Sequence, residues 1–232
     1  MKSLSPGYTA LVIGATGTIG RAFHDAIATD PACSQVLALS RATHPGFYLA
    51  RPQAFADILA ATLQERTVSL VIDATGVLSA SPGGPEKSLA AVQPDAMHDL
   101  MQINAIGPLL LLRALAPHLS RGRAVYGKLS ARVGSIQDNR LGGWYSYRAS
   151  KAALNMLLQT AAIELQRKSP QWVVAAMQPG TVRSPLSERF VSTSTPTVAP
   201  PEAARGLLAA LDTLPIVPGA SFIDYRGETI PW

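Results

Sequence analysis

Apolar residues along this chain fall into short unbroken runs, separated by longer stretches in which they recur every three or four positions. The runs at 8–13, 35–39, 68–72, 124–130, 172–177 and 221–224 are rich in Val, Leu, Ile and Ala and bounded by Gly, Pro or polar residues. Such runs suit strands buried on both faces of a parallel sheet. Residues 47–50 form a weaker run of the same kind. Helical spacing predicts helices after Gly20, over 51–66 and 95–115, from the neighbourhood of Tyr147 to Lys168, and over 201–214. Segments 77–94 and 132–143 read as loops, and 184–199, rich in Ser, Thr and Pro, as a flexible lid. Strands alternating with helices, without repeat or interdomain linker, predict one α/β domain over 1–232: a single doubly wound parallel sheet with helices on both faces.

Composition narrows the partners. Of 232 residues, 47% are hydrophobic and 15% charged, which gives a compact fold rather than a disordered chain. The net charge of +5 is spread out, with no Lys/Arg run and no basic–aromatic face, so nucleic acid is not an expected partner and a small anionic ligand is. Cys33 is the only cysteine, which excludes an internal disulfide or a cysteine metal cluster. The four histidines lack His-x-x-x-His spacing, so no metal site is expected. Residues 1–7 lack a signal-peptide core, and the apolar stretch 103–119 is broken by Asn104, two prolines and Arg113. A cytoplasmic protein with no membrane partner is the expectation.

Candidate chemistry gathers where strands end. The first strand runs into Gly14-Ala15-Thr16-Gly17-Thr18-Ile19-Gly20 and then a helix. Glycine there permits a tight turn, and the helix start offers free N–H groups and a positive dipole end to a pyrophosphate. A purely structural glycine turn fits the same letters. The second strand ends at Ser40-Arg41; an acid at this point would suit a ribose 2′-hydroxyl, an arginine a 2′-phosphate. Arg41 therefore points to NADP(H) over NAD(H), with NAD(H) still possible. Asp73-Ala74-Thr75-Gly76 follows the 68–72 strand, and Asn104 with Gly107-Pro108 interrupts a long helix, the mark of a kink or bulge. Tyr147 and Lys151, four apart on a helix, share a face, and a cation beside the phenol would draw its pKa down toward the working range of an acid–base.

Each of these motifs is common alone. In one order, the glycine turn, Asp73–Gly76, Asn104, Tyr147-x-x-x-Lys151 and Pro179-Gly180-x-Val182 resemble the short-chain dehydrogenase/reductase family over essentially the whole chain. The blocks 129–136 and 143–151 and the ending Pro231-Trp232 are similar to its C-factor-like branch. The resemblance implies a Rossmann fold and a set of roles. Tyr147 would be the general acid–base, Lys151 would lower its pKa and bond the nicotinamide ribose, and Asn104 would hold a relay water. Gly14, Thr16, Gly17, Thr18, Ile19 and Gly20 would wrap the pyrophosphate, and Ala74 and Gly76 would line the adenine-side ribose. Pro179, Gly180, Val182 and Ser184 would meet the nicotinamide end. It also implies a homodimer or homotetramer.

Two departures stand out. The family's substrate-orienting serine falls on Ala131, leaving Ser130 or Ser135 as replacements; alternation along a strand turns Ser130 away from where residue 131 points, which favours Ser135. The usual Asp-x-x-Asp reads Ala50-Arg51-Pro52-Gln53. The leading expectation is an NADP(H)-dependent oxidoreductase interconverting a carbonyl and an alcohol on a small hydrophobic substrate shaped by Trp144 and the lid. The alternative, motivated by Ala131, is a catalytically weakened dinucleotide-binding signalling protein of the same fold.

Overall fold

In the computed structural model, which describes residues 1–80, 84–185, 187–188 and 196–232, the apolar runs assemble into one parallel sheet. Its strands are β1 (Tyr8–Ile13), β2 (Cys33–Leu39), β3 (Leu70–Asp73), β4 (Ala124–Leu129), β5 (Trp172–Gln178) and β6 (Ser221–Asp224). They lie in the order β2-β1-β3-β4-β5-β6, with every neighbouring pair parallel. The chain winds one way from β1 to β2 and the other way from β1 through β3, so the order reverses between β1 and β3. A crevice opens at such a reversal, beyond the carboxyl ends of the strands.

Successive side chains on a strand face opposite ways, and two layers of helix take them up. Leu11 and Ile13 of β1, Val71 of β3, Tyr126 of β4 and Val174 of β5 pack in one core with α2 (Phe55–Leu63), α4 (Gly107–Leu115) and α5 (Tyr145–Lys168). Ala10, Val12, Ile72, Val125 and Val173 face the other core, under α1 (Thr18–Ala28) and α6 (Pro200–Thr213). Each buried Leu, Ile or Val contributes about 1.5–3 kcal/mol. The helical run 94–118 is long and apolar enough to cross a membrane by length and composition, longer than the stretch 103–119 weighed from sequence. Its apolar residues Leu100, Leu111, Leu112 and Leu115 are buried inside the fold.

Two expectations need correction or narrowing. Residues 47–50 do not join the sheet. Phe47 and Leu49 are buried, but the Phe47 and Arg51 amides close local turns onto the carbonyls of His44 and Tyr48. Leu49 presses its carbonyl against Gly107, where an added Cβ would lie 2.6 Å away, so the segment braces α4 instead of extending the sheet. The helix expected over 51–66 is a short 3-10 turn at Pro52–Ala54 followed by α2, closed by Gln64 in left-handed geometry. Residues 186 and 189–195, half of the lid expected over 184–199, lie outside the described residues.

Candidate active site

The glycine turn forms a cradle at the carboxyl end of β1. Gly14 has φ +79°, donates its N–H to Leu39 at 2.7 Å, and a Cβ there would press on the Ala74 backbone at 3.2 Å. At Gly20 a Cβ would fall 2.1 Å from the Gly14 carbonyl oxygen, so only glycine lets α1 start this close to the turn. Gly17 caps α1 with no side-chain bond, and the first turn carries no acid. The opening amides of Thr18, Ile19 and Gly20 thus have no acceptor within the helix and lie at its positive end, which suits an anion. Thr16 and Gly17 are exposed beside them. At the end of β2, buried Ser40 is tied to Thr43, and Arg41 follows it, exposed.

Across the crevice, Asn104 sits in a π-helical turn, Gln102–Ile106, between α3 (Pro94–Met101) and α4. The bulge expected from its mid-helix position is thus a π turn, a frequent feature of functional sites. Fully buried, Asn104 accepts the Val77 N–H at 2.9 Å and donates to the Val77 carbonyl at 2.8 Å and the Ser150 hydroxyl at 3.1 Å. It thereby pins the chain just after Gly76, which has φ +146°. A Cβ on Gly76 would stand 3.2 Å from Asn104 Oδ1 and 3.4 Å from Lys151 Nζ, so Gly76, Asn104 and Lys151 converge.

Tyr147 and Lys151 lie one turn apart on α5, with the ammonium 5.7 Å from the phenol ring centroid. Lys151 is buried and donates to the Leu129 carbonyl at 3.1 Å, at the end of β4. Burial, and then repulsion from Lys128, bring its pKa down to about 7 against the pull of Asp73. Burial likewise pushes the Tyr147 phenol above its usual value. The lowering expected from a neighbouring cation is therefore outweighed here by desolvation.

Beneath this pair lies a group that sequence reading missed. Lys128 and Asp73, both fully buried, are direct partners in the β3–β4 register and form an ion pair at 3.0 Å. Lys128 also donates to the Thr75 carbonyl at 2.6 Å and hydroxyl at 2.9 Å. Asp73 accepts the Thr75 amide at 2.9 Å and hydroxyl at 2.5 Å and the Tyr126 hydroxyl at 3.3 Å. This knot fixes the Asp73–Gly76 strand end. A lone lysine in an apolar strand, and an aspartate ending another, were the available signals.

The remaining predicted residues divide. Ser130 donates to Asn155 Oδ1 at 2.6 Å, and Ser135 bonds the Trp232 carbonyl at 3.3 Å and the Asp138 amide at 3.0 Å. Both are buried and committed elsewhere, and the structure does not bring either hydroxyl onto Tyr147. Ala131 is extended and half-buried at the end of β4. After β5, Pro179 leads to Gly180, whose φ is +78° and whose Cβ position is filled by Val198 at 2.8 Å. Val182 is buried and bridges Val198, while Ser184 closes a turn with Ser187. Trp144 stands edge-on to Tyr147, ring centroids 6.1 Å apart.

The fold is that of a doubly wound, Rossmann-type α/β protein, and comparison with known proteins gives the family. Residues 8–195 match the short chain dehydrogenase family, and the chain belongs to it. It is 35% identical over 132 residues, 56% of this chain and 75% of the relative, to the C-signal protein of Myxococcus xanthus, which resembles it as the C-factor-like blocks suggested. It is 33% identical over 178 residues to 1-hydroxy-2-glutathionyl-2-methyl-3-butene dehydrogenase of a Rhodococcus species, covering 76% of this chain and 74% of that one. Among solved structures, a carbonyl reductase from Pseudomonas aeruginosa matches at TM-score 0.75 and 26% identity, over 97% of this chain and 100% of that one. An NADP-bound short-chain dehydrogenase/reductase from Burkholderia multivorans shares the fold at TM-score 0.81 and 24% identity, over 98% of this chain and 100% of that one. The chain is thus an oxidoreductase-family protein with a Rossmann-type sheet.

Proposed function

We propose that this protein interconverts a carbonyl and an alcohol on a small hydrophobic substrate with NADP(H). The observation that carries the reading is the convergence of Tyr147, Lys151 and Asn104 at the sheet's carboxyl end, across a crevice from a glycine cradle with an uncapped helix start. Likeness to a carbonyl reductase and to a named dehydrogenase supports it. The cradle fits a dinucleotide: a side chain at Gly14 or Gly20 would fill it, and α1 presents free amides where a pyrophosphate would lie. Ser40 and Arg41 would receive the 2′-phosphate, Ala74 and Gly76 the adjoining ribose, and Pro179, Gly180, Val182 and Ser184 the nicotinamide end.

The bound dinucleotide supplies or accepts the hydride. In reduction Tyr147 gives its proton to the substrate oxygen, and in oxidation it takes the proton back. Lys151, once protonated, favours the phenolate that this exchange creates and offsets the burial that now holds the phenol neutral. Asn104 holds Val77 and Ser150, and so keeps the strand end and α5 in register for proton passage behind Lys151. A single domain over 1–232, acting in the cytoplasm as a homodimer or homotetramer, completes the proposal. The reading as a weakened signalling protein draws support from Ala131 and from the engaged Ser130 and Ser135 hydroxyls. The gathered Asn104, Tyr147 and Lys151 outweigh it.

The test is a fluorescence titration with NADPH and NADH. NADPH binding at least ~10-fold tighter, lost in Arg41→Ala, is the expected result, since a charge-assisted phosphate bond is worth about 1.5–3 kcal/mol. Equal affinities, or an Arg41→Ala variant that still prefers NADPH, would refute the assignment of Arg41.

A further inference from the structure

The helix that carries Tyr147 begins without a cap of its own. Its N-cap residue is Trp144, in left-handed geometry at φ 53° and ψ 44°, with no side-chain cap bond, and its first turn holds no acid. Gly142 and Gly143 before it are left-handed too, at φ 62° and 64°. For a bulky residue this geometry is strained, and such strain persists only where the surroundings hold it.

The surroundings include a carboxylate from far along the chain. Glu86, in the loop between β3 and α3, places one oxygen on the Ser146 hydroxyl and the other on the Ser146 amide at 3.2 Å. Its backbone carbonyl accepts the Trp144 amide. Both carboxylate oxygens thus serve the second residue of α5, where a good N-cap side chain would bond, at the positive end of the helix dipole. Ser146 is fully buried, and Pro85 beside Glu86 is buried as well. Burial raises the Glu86 pKa, but the Ser146 hydroxyl, Glu86's own amide and the Ser146 amide outweigh it and hold the group below the usual carboxylate value, so Glu86 stays ionised at neutral pH. On the far side of Tyr147, Arg148 donates to the carbonyls of Gly143 at 3.0 Å and Gly142 at 3.2 Å. Tyr147 therefore sits between Ser146, held by Glu86, and Arg148, which holds the turn before the helix, and Trp144 meets its ring edge-on.

We infer that Glu86 is a positioning residue for Tyr147: its carboxylate supplies the missing cap of α5 and holds the left-handed turn that sets Trp144 against the phenol. The inference rests on Tyr147 being the proton donor proposed above. Glu86 touches neither the glycine cradle nor Arg41, so it separates proton transfer from dinucleotide binding.

The experiment compares the full-length wild type with Glu86→Ala and Glu86→Gln, measuring NADPH affinity by fluorescence and carbonyl reduction as kcat and KM. Glu86→Ala lowers kcat about 10- to 100-fold, the scale of an ångström-sized misplacement, while the Kd for NADPH changes less than ~3-fold. Amide exchange at 145–148 accelerates, and exchange in α1 does not. Glu86→Gln recovers most of kcat, because its amide oxygen accepts the Ser146 N–H and its NH₂ donates to the Ser146 hydroxyl oxygen. If Glu86→Ala does not fold, Glu86→Gln and Ser146→Ala decide: the first keeps near wild-type kcat, and the second loses kcat without losing NADPH. The inference is overturned by an Ala variant with kcat within twofold of wild type, by loss of NADPH binding in step with kcat, or by a Gln variant as poor as Ala. Wild-type protein that binds NADPH and reduces no carbonyl sinks the oxidoreductase reading, and the role of Glu86 with it; wild-type turnover alongside an unaffected Glu86→Ala sinks the role of Glu86 alone.

Discussion

Replacing Lys128 with methionine would take from the buried Asp73 carboxylate its ion-pair partner. Both side chains are fully buried, and Lys128 donates three bonds from one ammonium, to Asp73 and to the carbonyl and hydroxyl of Thr75. Removing one partner of such a pair costs about 3–5 kcal/mol, whereas removing both charges is often neutral. In a chain of this size each kcal/mol is worth about 2–4 °C, so Lys128→Met lowers the melting temperature by roughly 6–20 °C. Asp73→Asn alone costs a similar amount by stranding the ammonium. The double variant Asp73→Asn/Lys128→Met should be more stable than either single one, because the asparagine oxygen can still accept the Thr75 amide and no buried charge is left. Urea unfolding of the four proteins closes the cycle. Costs that simply add, or a Lys128→Met cost below ~1 kcal/mol, would show that the buried pair is not a coupled unit.

Two further outcomes follow from the site. Burial and Lys128 hold Lys151 at a pKa of about 7, so above pH 7 the empty protein is mostly neutral there; a bound anionic dinucleotide favours the ammonium. NADPH binding therefore takes up a proton above pH 7 and weakens by at most ~10-fold per pH unit as the pH rises from there. Calorimetry in two buffers of different ionisation heat reads the uptake; zero uptake, or uptake that survives in Lys151→Met, contradicts it. Ala131→Ser restores a hydroxyl at the end of β4 and should raise kcat about 10-fold or more with NADPH affinity unchanged, given that one donor at a developing charge contributes about 3 kcal/mol. No gain in steady-state turnover would mean that the reaction does not draw on a donor at this position.

The sheet was legible because buried parallel strands are unbroken apolar runs, and each of the strong runs became a strand. Residues 47–50 misled because a short apolar run suits a strand; their backbone instead closes local turns, and the Leu49 carbonyl lies against Gly107, 58 residues away. Asn104 could be flagged from its place before Gly107-Pro108, but its bonds to Val77 and Ser150 are long-range and carry no spacing signal. For the same reason the reach of Glu86 to Ser146 was invisible, since a cap is read from the residues next to a helix. Lys128 was within reach of sequence reasoning: once β3 and β4 are taken as neighbours, a buried lysine requires a carboxylate, and Asp73 is the acid that ends β3. The lowering expected at the phenol is not found because burial, which carries no spacing signal, raises Tyr147 and lowers Lys151.

The central claim is that Tyr147 transfers the proton in an NADPH-dependent carbonyl reduction. Its most direct test is NADPH consumption at 340 nm over a panel of small hydrophobic aldehydes and ketones, wild type against Tyr147→Phe. The account predicts wild-type turnover reduced about 10²- to 10⁴-fold by the loss of one hydroxyl, the usual range for a positioned acid–base, with NADPH bound equally by both proteins. Equal rates in the two proteins would contradict it.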